Sequence, residues 1–360
     1  MCMLCEMAQL RKSGGHSWSH NQYKYAGRVQ EAEQAGLELK DYMKGKARWG
    51  SLHGHSERSL LDGGAKIEDI IDKVKAMGQD FVAITDHGNL FGAVQAHQYA
   101  KKKGIKHIVG CELYITPVGR SRWDKDFKKG EKAYHHLVVL AKNPTGYQNL
   151  CRLSSLGYSD GFYRAPRIDR ELLDRYGEGL IVTSACVGGA IPANAMAGDF
   201  YKAEKELEWM LNRFGDDYYV EIQNHHTEYE DRAFDYMREL AVKHNVPLVA
   251  TTDSHYLNAD DAEAHDALLC IGTGQYVDQP DRKFKFMGSG FHYQSQEEVE
   301  ALFPGEQEAI LNAGRIADKI DDEVIDTKAD TKIPPFDVPK DDPEFKAWEA
   351  EGGFEKWLSN

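Results

Sequence analysis

The sequence predicts an α/β fold, a sheet or barrel with helical crossovers, on two observations. From about residue 51 to 257, short apolar runs rich in β-forming residues alternate with helix-like stretches, the order expected when crossovers pack on a sheet. The 360 residues, 41% of them apolar, can bury a substantial core in one large domain with appendages or in two small domains.

The expected strands are 81–85, 107–112, 137–141, 180–184, 218–223 and 247–251, with helices between them, for example over 67–77, 201–214 and 229–244. Residues 1–50 are polar, show no strand pattern and read as an extension. Beyond 295 the pattern turns helical, because 297–302 and 307–320 space apolar residues three and four apart. Ile333-Pro334-Pro335-Phe336 and the acidic stretch after it read as a linker into a short amphipathic tail. The expected division is therefore 1–50, 51–295, 296–325 and 326–360.

Composition excludes several classes of protein. A net charge of -14 argues against a surface that coats nucleic acid, which collects phosphates with excess Lys and Arg; a phosphate-bearing substrate must be attracted locally. Six irregularly placed cysteines fit reduced thiols better than a disulfide framework. The longest uncharged stretch, 180–198, holds Gly, Pro, Asn and hydroxyl residues, and Glu6, Arg11 and Lys12 interrupt any apolar leader. A cytoplasmic protein with no membrane partner is expected.

Three motifs carry chemistry. His53-Gly54-His55 places two imidazoles on one face of an extended segment. Thr85-Asp86-His87-Gly88 ends one apolar run, and Asp253-Ser254-His255 follows another, at the strand ends where α/β scaffolds carry site residues. The plainer reading of any one motif is a capping Asp or Ser beside a hydrogen-bonded His. Together they supply imidazole and carboxylate ligands of the kind that Zn and Mn take.

These residues stand in longer strings: 52–63 around His53 and His55, 83–92 around His87, Gly110-Cys111-Glu112-Leu113-Tyr114, 136–143 from His136, 161–169 through Tyr163-Arg164-Ala165-Pro166-Arg167, and 250–256 around Asp253. In order and spacing, over roughly residues 51 to 335, they resemble the PHP domain of the bacterial DNA polymerase III alpha subunit. The resemblance implies a distorted (β/α)7-type barrel, the PHP fold, with a metal cluster at one mouth. It also implies nine ligands for three divalent ions, Zn or Mn, with Fe or Co as alternatives: His53, His55, Asp62, His87, Glu112, His136, Cys186, Asp253 and His255. His136 is awkward for that picture, since it precedes its strand instead of following it.

Three divalent cations against four anionic donors (Asp62, Glu112, Asp253 and a Cys186 thiolate) leave the cluster net positive, a local attraction for a phosphodiester on an acidic chain. The resemblance implies metal-assisted hydrolysis by water, as a 3'-5' exonuclease or phosphoesterase acting on DNA 3' ends in replication and proofreading. Two alternatives stay open, a non-catalytic metal-stabilised module of a replicative polymerase and a small-molecule phosphatase of the histidinol-phosphatase type. Partners would be DNA and a separate polymerase core or replisome subunits. No DNA synthesis is expected from this chain, because the palm of such a polymerase would follow Asn360; a second polypeptide supplies it, or the sequence is a fragment.

Outside the nine, Arg164, Arg167 and His225 are candidate substrate contacts, since a guanidinium fork matches phosphate oxygens; a solvated surface or polar loop is the plainer reading. His226 is read in the same way as His225. Asp86 is placed behind the metals, either orienting an imidazole or capping. The segment 120–132, with six bases and three acids, could touch a DNA backbone or be a solvated loop. Cys111, Cys151 and Cys270 read as small core residues. Cys2, Cys5, His16 and His20 approach a zinc-finger spacing, against the plainer reading of four unconnected residues in a terminus.

Overall fold

In the computed structural model, residues 28–60, 62–282, 284–327 and 343–353 are described. The Cys2, Cys5, His16 and His20 set and the Ile333–Phe336 linker lie outside them. Residues 1–325 and 326–360 form two compact units, the second containing the helix Pro343–Ala350.

Among the described residues, the first unit has eight strands: β1 (Phe81–Ile84), β2 (Lys106–Ile115), β3 (His135–Ala141), β4 (Phe162–Tyr163), β5 (Ala165–Ile168), β6 (Leu180–Thr183), β7 (Tyr218–Ile222) and β8 (Leu248–Ala250). The sheet runs β1-β2-β3-β6-β7-β8, with the β4–β5 hairpin joined to the end of β2. β1, β6, β7 and β8 are almost wholly buried, so they read as continuous apolar runs, as parallel strands covered on both faces should.

The sheet closes through a segment with no apolar run of its own. Ala83 and Thr85 of the β1 region donate N–H bonds to the Ser51 and Gly54 carbonyls at 2.7 and 2.8 Å. On its other edge, the His55 N–H donates to the Ser254 carbonyl and the Ser254 N–H to the His53 carbonyl, at 2.7 and 3.2 Å. Residues 51–55 thus complete a ring of seven extended segments. One member is reversed: β3 runs antiparallel to both β2 and β6, whereas β1–β2, β6–β7 and β7–β8 are parallel. The first residues of β3 therefore reach the mouth at which the other strands end, which accounts for the place of His136.

The core lies between this ring and its helices. The helices Gln296–Leu302 and Gln307–Lys319 belong to it: Val299, Ile310, Ala313 and Ile316 are buried in the same apolar cluster as β2, β3 and β7. Asn312 Nδ2 donates to the Leu248 carbonyl at 2.7 Å, and Arg48 pairs with Asp318 at 2.8 Å and with buried Asp80 at 3.0 Å. Segment 296–325 thus shares its core with 51–295.

A second cluster packs the helices Ile67–Ala76 and Ala93–Lys103 on β1. His97 and His107 are buried nearby; His97 Nε2 lies 3.9 Å from Glu323, and both ring nitrogens of His107 lack a hydrogen-bond partner. Burial and the neighbouring His97 push the His107 pKa down to about 3, whereas the unfolded chain titrates near the ordinary value of 6.5. The stability this group confers is present above pH 6.5 and falls as pH drops toward 3, because the unfolded chain takes up a proton that the folded one refuses. His107→Leu is expected to lose about 2 kcal/mol less than the parent between pH 7.5 and pH 5, read as the change in urea midpoint. Equal acid sensitivity in the two proteins would refute this.

Candidate metal centre

Local chain geometry aims the donors. Residues 51–55 are extended, so His53 and His55 face the same side of the ring, and their Nε2 atoms each lie 3.1 Å from Glu112 Oε2. Asp253 leaves β8 in the left-handed region, at φ 42°, and Ala185, beside Cys186, does so after β6 at φ 61°. Such backbone costs roughly 1–3 kcal/mol and persists where surrounding structure enforces it. Gly188 must lack a side chain, because a Cβ there would stand 2.9 Å from His136 Nδ1.

The fold brings all nine expected donors together. His53, His55, Glu112 and Asp253 form one group, His55, His87 and His255 a second, and Glu112, His136 and Cys186 a third. Asp62 joins the second through His87 Nε2, 2.9 Å from its Oδ2. Glu112 is the hinge of the arrangement: Oε2 also lies 3.2 Å from His87 Nδ1, while Oε1 contacts His136 Nδ1.

These residues fit metal ions on chemical grounds. His55 Nε2, His87 Nδ1, Asp62 Oδ1 and Asp253 Oδ1 are buried without hydrogen-bond partners, although His55 Nε2 is only 3.3 Å from Asp253 Oδ1. Donors converging at such spacing without hydrogen-bond geometry match ligands about 2.0–2.2 Å from a shared cation. The electrostatics agree. Despite burial, the neighbouring histidines hold Glu112 well below the ordinary carboxylate range and Asp253 is lowered likewise, so both are ionised. Burial opposes a charge on His53 and His87, yet the carboxylates around them raise both. Burial, Asp253 and Glu112 push the Cys186 thiol up; a bound cation reverses that tendency.

A supporting layer orients the imidazoles. His53 Nδ1 lies 2.7 Å from Glu221 Oε1, and the fully buried Glu221 is itself held by Thr183, Thr251 and Gln223. Ser59 Oγ donates to Asp86 at 2.8 Å and receives the His87 N–H at 3.1 Å. That leaves it to accept from His55 Nδ1 at 2.8 Å, which turns the lone pair of His55 Nε2 toward the site. His255 Nδ1 donates to the Asp253 carbonyl at 2.8 Å, with the same effect. Asp86 also binds the backbone and hydroxyl of Ser56, so it acts on His55 through Ser59 and also caps the loop. Glu221→Gln is expected to weaken metal binding about 10–100-fold, measured by chelator competition; unchanged affinity would show that His53 needs no such brace.

The three candidate substrate residues fare differently. Arg164, at the β4–β5 turn, is exposed and lines a groove with Lys132, Tyr134 and His136. Arg167 is fully buried, and its guanidinium donates to the carbonyls of Gly161, Arg122 and Asp124 at 3.1, 2.6 and 2.8 Å. It braces the 120–132 loop and has no fork left for phosphate. His225 is buried, with Nδ1 on Glu230 at 2.8 Å and Nε2 on the Thr252 carbonyl at 3.0 Å, so both ring nitrogens are engaged within the protein. His226 lies on the surface at φ 60°. In the 120–132 loop, Arg120 pairs with Glu131 within the loop, and Arg122 pairs outside it with Asp169 and Glu171, which offsets part of its excess charge.

Sequence reading missed Glu221, Ser59 and a covering segment. A lone carboxylate in the apolar run of β7 was the available signal for Glu221. The cover consists of Phe284, Lys285, Phe286 and Met287, which with Tyr229, Val187 and Gly188 line a cavity of about 240 Å³ over Asp62, His87, Glu112, His136 and Cys186.

A family model described as the PHP domain matches residues 51–225, and the chain contains a PHP domain. It is homologous to DNA polymerase III alpha subunits: it is 44% identical over 301 residues to that of Borreliella burgdorferi, covering 82% of this chain and 26% of the relative. With the subunit of Thermus aquaticus the identity is 40% over 305 residues, covering 83% and 25%. The chain spans about a quarter of the length of these curated relatives. A solved structure from Bifidobacterium adolescentis, of a protein proposed to be a metal-dependent phosphoesterase, aligns at 12% identity and a TM-score of 0.41, covering 71% of this chain and 96% of that one.

Proposed function

We propose that the nine converging residues bind divalent ions, Zn or Mn, and that the chain hydrolyses phosphodiesters at DNA 3' ends as a 3'-5' exonuclease. The observation that supports this most is the sharing of Glu112 among His53, His55, His87 and His136. It packs several cation-binding groups into one open cavity. Bound divalent ions supply Lewis acidity and bring the pKa of water toward neutrality. The protein's part is to hold imidazole tautomers through Glu221 and Ser59, to keep Asp253 and Glu112 ionised, and to restrict water above the cluster. Arg164, exposed beside His136, is positioned to bind a neighbouring phosphate. Homology to replicative subunits favours DNA as the substrate, in the cytoplasm, beside a polymerase core or other replisome subunits.

The test is release of label from 3'-labelled single-stranded and mismatched primer DNA by the Mn- or Zn-loaded chain. Asp253→Ala should reduce release at least about 10²-fold. Equal release by the variant, or none by either protein, would sink the exonuclease reading, the latter leaving a metal-stabilised structural module. Hydrolysis of histidinol phosphate in place of DNA would favour a small-molecule phosphatase.

A further inference from the structure

The segment that covers the cavity is anchored on both sides. Before it, the Arg282 guanidinium donates to Asp266 Oδ1 at 2.7 Å and Cys270 Sγ at 2.9 Å, both on the helix Ala262–Thr273. After it, the chain turns at Gly288, φ 89°, where a Cβ would lie 1.9 Å from the His225 carbonyl oxygen, and the Ser289 N–H donates to that oxygen at 3.0 Å. His225, stacked on Phe291 at 3.9 Å, thus anchors the cover. Phe286 turns inward, with its ring centroid 4.7 Å from that of His255 and 4.7 Å from that of Phe291.

The residues beside Phe286 do not follow it in. Phe284 and Met287 are 44% and 59% exposed while lining the metal-ligand cavity. Lys285 lines the same cavity, is exposed, and has no ion-pair partner among the described residues. An aromatic face, a flexible thioether and a cation thus flank the cluster on a chain of net charge -14. They match the parts of a nucleotide that a metal cluster does not bind, a base with a π-face and a further backbone phosphate.

Resting on the phosphodiesterase reading above, we propose that Phe284, Met287 and Lys285 form the subsite for the terminal nucleotide. The base stacks on Phe284 against Met287, and Lys285 pairs with a phosphate. Every base has a π-face, so such a subsite selects nucleotides over bare phosphate esters while tolerating any sequence. Lys285 supplies locally the positive charge that the surface as a whole lacks.

The test is binding, by fluorescence anisotropy, of 5'-fluorescein single-stranded DNA with either intact or abasic last nucleotides to the Mn-loaded chain, with hydrolysis followed in parallel. The parent should prefer the intact end at least about fivefold. In Phe284→Ala the ratio should fall to about one, and Phe284→Trp should restore it. Lys285→Ala should lower the slope of log affinity against log salt by about 0.7, one phosphate contact to a single strand, with recovery in Lys285→Arg. Preference for the intact end without hydrolysis would keep the subsite and defeat the exonuclease reading. Hydrolysis with no preference in the parent, or a Phe284→Ala variant as selective as the parent, would overturn the subsite and leave the catalytic reading intact.

Discussion

Glu112→Gln is expected to lower phosphodiester turnover at least about a thousandfold and to reduce the number of divalent ions retained per chain. The carboxylate faces His53 and His55 at 3.1 Å and His87 at 3.2 Å, touches His136 Nδ1, and lies 4.0 Å from Cys186 Sγ. Glu112 belongs to two of the three donor groups and contacts His87 of the third. The amide keeps the shape but removes a negative charge and an acceptor oxygen at the point where the groups join. A buried site that has lost such a charge cannot recover it from solvent. The variant is checked by kcat with Mn and Zn, metal content by elemental analysis, and circular dichroism for fold. Turnover within tenfold of the parent, at equal metal content, would remove Glu112 from the role of shared ligand.

Removing the metal should unfold the barrel at markedly lower temperature, by roughly 10 °C or more. A ligand that binds only the folded state stabilises it by about 2.7 kcal/mol at a hundred times its dissociation constant, and several sites act together. The fall should be large because Glu112 and Asp253 are buried and ionised next to each other's partners, and without cations only protons on the histidines offset them. Bound ions would also tie together segments distant in the chain, since the donors come from 51–55, β2, β3 and the loops after β6 and β8. Thermal melts before and after exhaustive chelation, with Zn or Mn added back, measure the effect. A melting temperature that chelation leaves unchanged would show that the donors do not hold ions in the folded protein.

Much of this site was legible in the chain. The strands expected at 81–85, 137–141, 180–184 and 218–223 lie within two residues of β1, β3, β6 and β7, because runs such as Phe81-Val82-Ala83-Ile84 alternate with helix-like crossovers. The motifs around His87 and Asp253 were visible because polar residues follow the buried strands β1 and β8 there. Three features were not. The closing segment 51–55 has no apolar run, since its inward side chains include His53 and His55. The β4–β5 hairpin is short and carries Pro166. Arg167 looked like a phosphate clamp because burial cannot be read from a guanidinium in a loop-like string.

By itself the sequence determined the α/β class, a matter of local composition and periodicity, and its resemblance to a family named nine candidate donors, which the fold brings close together. Only the tertiary structure decided the rest. The reversal of β3, which carries His136 to the mouth, follows from its pairing with β2 and β6 on either side. Glu221 orients His53 across 168 residues of chain, and the 284–287 segment reaches the cluster because Arg282 and His225 pin it there. A side chain's type states which bonds it can make; which partner it meets is set by how the strands are paired, and no local pattern encodes that.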